Sequence, residues 1–125
     1  MVILHPFCLE VFVMNGYDKE QALAFILPKI DRKGHKELAF LIDQLISQAI
    51  DADLRFMQET SVLDEHGDAG DGYYDDDEAF EYILDVLAQQ NGFDDDMTVR
   101  VGGLIDDYME LQQEYLESIG LVDWD

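Results

Sequence analysis

The sequence predicts an all-α single domain of four or five helices, and three observations carry that expectation. Apolar residues recur at three- and four-residue spacing over long stretches. Acids that can start a helix and Asn-Gly or Gly signals that can end one bracket those stretches. Strand-like alternation is confined to one short opening run. Long helices are expected at about 35–60 and 96–119, with an exposed acidic loop at 61–78. A length of 125 residues with 48% apolar content suits one core-burying domain, residues 1–125. Seven Phe, six Tyr and five Met supply large buried groups, so a net charge of −22 does not by itself imply disorder.

Pro6 suits a first helical position and Asn15-Gly16 a helix end, so residues 6–15 read as a short helix. Phe7, Leu9, Val11 and Val13 alternate well enough for a strand, and the run stays open between the two. Asp18 followed by Gln21 marks the next start, Ala22, Leu23, Phe25, Ile26 and Leu27 continue it, and Pro28 ends it. Lys29 to Lys36 is a basic connector with Gly34 at its turn. From His35 to about Thr60, Leu38, Leu41, Ile42, Leu45, Ala49, Ala52 and Phe56 form an apolar stripe opposite Gln44, Gln48, Asp51, Arg55 and Gln58.

Residues 61–78 contain eight acids, three glycines and no Lys or Arg, which predicts a flexible, self-repelling loop. The next helix runs from about Asp76 to Gln90, with acids at its positive end and Asn91-Gly92 as its stop. In the last helix Met97, Val101, Leu104, Tyr108, Leu111 and Tyr115 form a short heptad seam. Gly102-Gly103 either weakens this helix, bends it or permits close packing. Gly120 ends it, before an apolar tail of Leu121, Val122 and Trp124.

Charge is unevenly placed. Residues 1–36 hold four acids and five bases, a balance of +1; residues 37–125 hold 25 acids and two bases, a balance of −23. Such a field repels nucleic acid and anionic membranes and attracts basic proteins and divalent cations. No apolar run reaches the ~18 residues of a membrane span. The opening residues lack the basic segment and cleavage pattern of a signal peptide, and Cys8 has no internal disulfide partner. A cytoplasmic setting is the expectation.

No catalytic, cofactor-binding or metal residue is assigned. A calcium loop beginning at Asp64 would place Asp68 fifth and Asp75 twelfth, but His66, Ala69 and Asp71 depart from the third, sixth and eighth positions. Asp106, Asp107 and Glu110, followed by Glu114 and Glu117, resemble the paired acidic motifs of all-α nucleoside triphosphate pyrophosphohydrolases. Those enzymes set two motifs on different helices around magnesium, whereas here both lie on one. A divergent calcium-binding helix-loop-helix and a magnesium-dependent pyrophosphohydrolase are therefore the alternatives to a non-enzymatic role. Cys8 reads as a small core residue.

The preferred expectation is an acidic protein-interaction domain. Asp107, Glu110, Glu114 and Glu117 are spaced 3-4-3, with about 5 Å of rise between charges. Duplex DNA carries about one charge per 1.7 Å of axis, so several such helices side by side approach nucleic-acid charge density. The sharper form is a nucleic-acid mimic of phage or mobile-element origin that binds a basic or nucleic-acid-binding protein. Asp75, Asp76, Asp77, Glu81 and Asp85 complete the candidate partner-binding set. The seam, with Tyr108, Tyr115, Phe93 and Trp124 as anchors, could alternatively serve a homodimer. Lys29, Arg32, Lys33 and Lys36 could dock on the acidic half of the same or a second copy.

Overall fold

The Asp18 carboxylate accepts hydrogen bonds from the backbone N–H groups of Glu20 (2.9 Å) and Gln21 (3.3 Å), which would otherwise lack partners, and so starts helix α1, Lys19–Ile26. The structure is a computed structural model that describes Met14 and residues 16–121. Nearly all of the short element expected at 6–15, Cys8 and Trp124 lie outside the described residues. Pro28 converts the end of α1 into a 3-10 turn, Leu27–Lys29. Ala22 and Ile26 are fully buried, and Tyr17 and Phe25 pack their rings against Tyr115 at 5.4 and 5.6 Å.

The helix expected from His35 starts seven residues later. Helix α2 is Ile42–Glu59, and Lys36–Leu38 form a separate 3-10 turn with three-residue hydrogen bonds such as Leu41 N–H to Leu38 at 2.7 Å. The spacing of Leu38 and Leu41 fits a three-residue turn as well as an α-helix, so periodicity alone could not separate them. The tighter turn buries Leu38 while His35 and Glu37 reach the last helix, where they meet Asp107 (2.6 Å) and Arg100 (3.6 Å).

Ten of the eighteen residues of α2 are buried, which makes it the central element. Each fully buried Ile or Leu contributes about 1.5–3 kcal/mol relative to exposure. Helix α3, Asp76–Asn91, is capped by Asp75 and stops at Gly92, whose φ of 67° is the left-handed conformation that glycine adopts freely. Helix α4, Asp95–Ser118, is capped by Asp94 and packs antiparallel to α3 across the three-residue connection 92–94. Among the described residues these are the four α-helices, as expected, and no strand is present.

Gly102 and Gly103 do not break α4. An added Cβ at Gly102 would lie 3.4 Å from the Phe80 ring of α3, and one at Gly103 would lie 3.6 Å from His35. Both distances are ordinary van der Waals contacts, so the helix carries the pair without needing glycine for its packing. The expected seam holds at Val101, Leu104, Tyr108 and Tyr115, which are buried, but Gln112 takes the deep position expected for Leu111, which is half-buried.

Residues 61–78 are largely exposed, as expected, but they are organised. Leu63 is buried and pairs with Ala69 in an isolated antiparallel bridge. Gly70 and Gly72 donate to the carbonyls of Val62 (2.9 Å) and Ser61 (2.7 Å). A Cβ at Gly72 would overlap the Thr60 carbonyl, so only glycine allows this approach. The Asp64 carboxylate accepts from the backbone N–H groups of His66 and Asp68, which closes the turn and lowers its pKa. The self-repelling coil expected from composition is replaced by a fold-back that covers the end of α2.

Candidate functional site

On α2 the row Leu45, Ala49, Asp53, Met57 advances by four residues and faces inward along its whole length. Its third member is an acid. Asp53 is 1% exposed, and no ion pair reaches it among the described residues. Tyr74, delivered by the 61–75 segment, donates its hydroxyl to one carboxylate oxygen at 2.8 Å. Tyr108 of α4 donates to the other at 2.7 Å. Burial pushes the Asp53 pKa up to about 6, the two hydroxyls oppose that rise, and the charge of Asp76 adds to it. Burial likewise raises Tyr108 and Tyr74 well above the usual phenol range.

One turn beyond Tyr108, Gln112 is 3% exposed. Its carbonyl oxygen accepts from the Tyr17 hydroxyl at 2.9 Å, while its Nε2 has no hydrogen-bond partner among the described residues. Asp53 and Gln112 both line a cavity of about 100 Å³ between α2, α4 and the 61–75 segment. Sequence reasoning missed this cluster. The available signal was an acid and an amide standing in the i, i+4 rows of the two most apolar helix faces.

The predicted surface residues divide into those used by the fold and those left to solvent. Asp75 is the α3 cap, accepting from Asp77 at 2.9 Å and Glu78 at 3.2 Å. Asp107 is half-buried against His35. Glu110, Glu114 and Glu117 on α4 and Asp76, Asp77, Glu81 and Asp85 on α3 are exposed, and among the described residues none of them joins an ion pair. Within the basic cluster, Arg32 pairs with Asp43 at 2.9 Å and Lys29 lies 4.5 Å above the Phe25 ring. Lys33 and Lys36 are exposed. The cluster therefore does not neutralise the acidic stripe of its own chain.

Of the aromatic anchors considered for an interface, Tyr108 and Tyr115 belong to the core and Phe93 is half-buried. Among the described residues the most exposed ring is Phe40, next in sequence to the basic cluster, followed by Tyr73. Among the described residues no three His, Cys, Asp or Glu side chains stand in an arrangement that could hold a metal ion. Asp64 and Asp75, first and twelfth in the calcium frame, turn their oxygens onto backbone N–H groups. No described helix is long and apolar enough to cross a membrane. No protein-family model matches the chain, and neither a curated protein nor a solved structure is similar to it.

Proposed function

We propose that the chain is a non-enzymatic acidic interaction domain whose partner is a basic or nucleic-acid-binding protein. The observation that carries this reading is the set of exposed, unpaired carboxylates on two adjacent helices, Glu110, Glu114 and Glu117 on α4 and Asp76, Asp77, Glu81 and Asp85 on α3. Helices hold these charges at fixed spacing, so a partner meets an ordered array rather than a mobile acidic tail. Ordered negative potential speeds encounter with a basic surface and rejects acidic ones. In its sharper form the array imitates the phosphates of a nucleic acid, in a cytoplasmic protein of phage or mobile-element origin. It occupies the partner's nucleic-acid site without binding nucleic acid or membrane itself. A second copy of the chain is the competing occupant, through the exposed Lys33 and Lys36 beside Phe40.

The test is a pull-down at low and at high salt with the intact chain and with Glu110→Lys/Glu114→Lys/Glu117→Lys. The proposal expects a basic protein captured at low salt, lost at high salt and lost with the triple variant. Capture of no basic protein, or equal capture by the variant, overturns it.

A further inference from the structure

The two ends of the helical bundle carry opposite chemistry. Segment 27–43 occupies one end, where His35 meets Asp107 at 2.6 Å, Glu37 meets Arg100 at 3.6 Å and Arg32 meets Asp43 at 2.9 Å. Those acids are already met, which leaves Lys33 and Lys36 exposed, with no ion pair among the described residues. Phe40 follows in a turn fixed by hydrogen bonds from Ala39 N–H to the Lys36 carbonyl (3.2 Å) and from Leu41 N–H to that of Leu38 (2.7 Å). The turn buries Leu38 and Ile42 and leaves the Phe40 ring 102% exposed. At the other end α3 begins and α4 finishes, since Asp76 and Leu116 line one cavity and Tyr82 donates to Glu59 of α2 at 3.4 Å. Asp76 and Asp77 are exposed there without ion pairs among the described residues, and the exposed ring of Tyr73 precedes them in sequence.

We propose that the basic end of one copy docks on the acidic end of a second copy, with Lys33 and Lys36 facing Asp76 and Asp77 and Phe40 packing on Tyr73. The two ends match in charge and each adds an exposed aromatic ring, the residue class enriched in interfaces. A foreign acidic protein would match in charge alone. One copy cannot satisfy both of its own ends. Along α4 the rise from Asp107, beside His35, to Glu117 is about 15 Å, beyond the Debye length of about 8 Å at physiological salt. A second copy brings the ends together and covers two rings that contribute nothing to the core. This contact shares Asp76 and Asp77 with the array of the proposed function and rests on that reading for their outward display. It goes further in making the array's availability depend on the concentration of the chain itself.

The experiment is sedimentation of the full chain alone, at protein concentrations up to about 1 mM because a contact of this size is weak. Salt is set at about 0.01, 0.15 and 1 M, where the Debye length is about 30, 8 and 3 Å. A net charge of −22 on each copy opposes association at the lowest salt, and the contact attraction fades at the highest, so the average mass should peak near the middle condition. Phe40→Ala should weaken association about tenfold, as loss of an aromatic anchor does. Lys33→Glu/Lys36→Glu and Asp76→Lys/Asp77→Lys, each folded by circular dichroism, should be monomeric alone and form a 1:1 pair when mixed, because each keeps the face the other lacks. A monomer at 0.15 M, a mass still rising at 1 M, association unchanged in Phe40→Ala, or a mixture that does not pair overturns the proposal. Phe40 is exposed, so its variant decides the matter even if a charge variant does not fold. Because no foreign protein is present, failure here leaves the capture of a basic partner untouched, and failure of that capture leaves this result standing.

Discussion

At Asp53 the pH dependence of the whole fold acquires a specific origin. The folded state holds a proton on this carboxyl at pH values where the unfolded chain has released it, because burial raises its pKa from 3.8 to about 6. Ionisation above about pH 6 therefore opposes folding, by up to about 3 kcal/mol on that difference. That opposition is relieved progressively as pH falls through 6 and is gone below 3.8. Between pH 7.5 and 5 the protein should grow more stable, and Asp53→Asn should gain less over the same interval. Denaturant unfolding at the two pH values measures both slopes, and parallel slopes contradict the assignment. Acids on the surface also repel less when protonated, which is why the difference between the two proteins is the informative quantity.

The hydroxyl of Tyr108 acts on the same carboxylate. Tyr108→Phe removes one of its two hydrogen bonds and should destabilise the fold by about 1–3 kcal/mol at pH 7, measured by the same unfolding experiment. The importance of Asp53 was visible in principle, because Leu45, Ala49, Asp53 and Met57 form one row. In a chain with 29 acids, the inward position of one of them does not stand out from composition. The tyrosine that reaches it from 21 residues away could not be foreseen from spacing.

Among the elements, the two glycine sites make opposite predictions. Gly103 is exposed in the middle of α4, with room for a Cβ at 3.6 Å from His35. Gly103→Ala should stabilise the protein by about 0.5–1 kcal/mol, since alanine loses less backbone freedom in a helix. Gly72 lies against the Thr60 and Ser61 backbone. Gly72→Ala should destabilise by about 1–3 kcal/mol through forced backbone movement. Thermal unfolding of the two variants should shift in opposite directions, and shifts of the same sign would contradict the packing described.

Helix ends were legible because their chemistry is local. Asp18 starts α1, Pro28 closes it, Asn91-Gly92 stops α3 and Gly120 follows α4 with φ 76°. The start of α2 was not, because Leu38 and Leu41 satisfy both helical periods and the choice depends on His35 and Glu37 meeting α4. The 61–75 segment was misread as coil for a related reason. Its order comes from backbone pairing between Ser61–Leu63 and Ala69–Gly72, which composition does not report.

For the whole molecule, the charge imbalance read from the sequence survives folding, but not every acid serves the surface. Asp18, Asp75 and Asp94 cap helices, Asp64 closes a turn, Asp53 is buried and Asp107 meets His35. Apart from Asp96, which pairs with Arg100 at 3.2 Å, what remains on α3 and α4 faces solvent without counterions from the described bases of the chain. A net charge of −22 then opposes compaction, so added salt should raise the melting temperature by screening. A melting temperature that is flat or falling with salt would mean that the acids are neutralised locally.

The most direct test of the account is the affinity of the captured basic partner measured at increasing salt. Between about 50 and 200 mM salt the account predicts a fall of at least roughly tenfold, as for charge-dominated association. It also predicts a shallower fall after Glu110→Gln/Glu114→Gln/Glu117→Gln. An affinity insensitive to salt, or a slope unchanged by removing those three charges, would contradict the claim that the ordered carboxylates choose the partner.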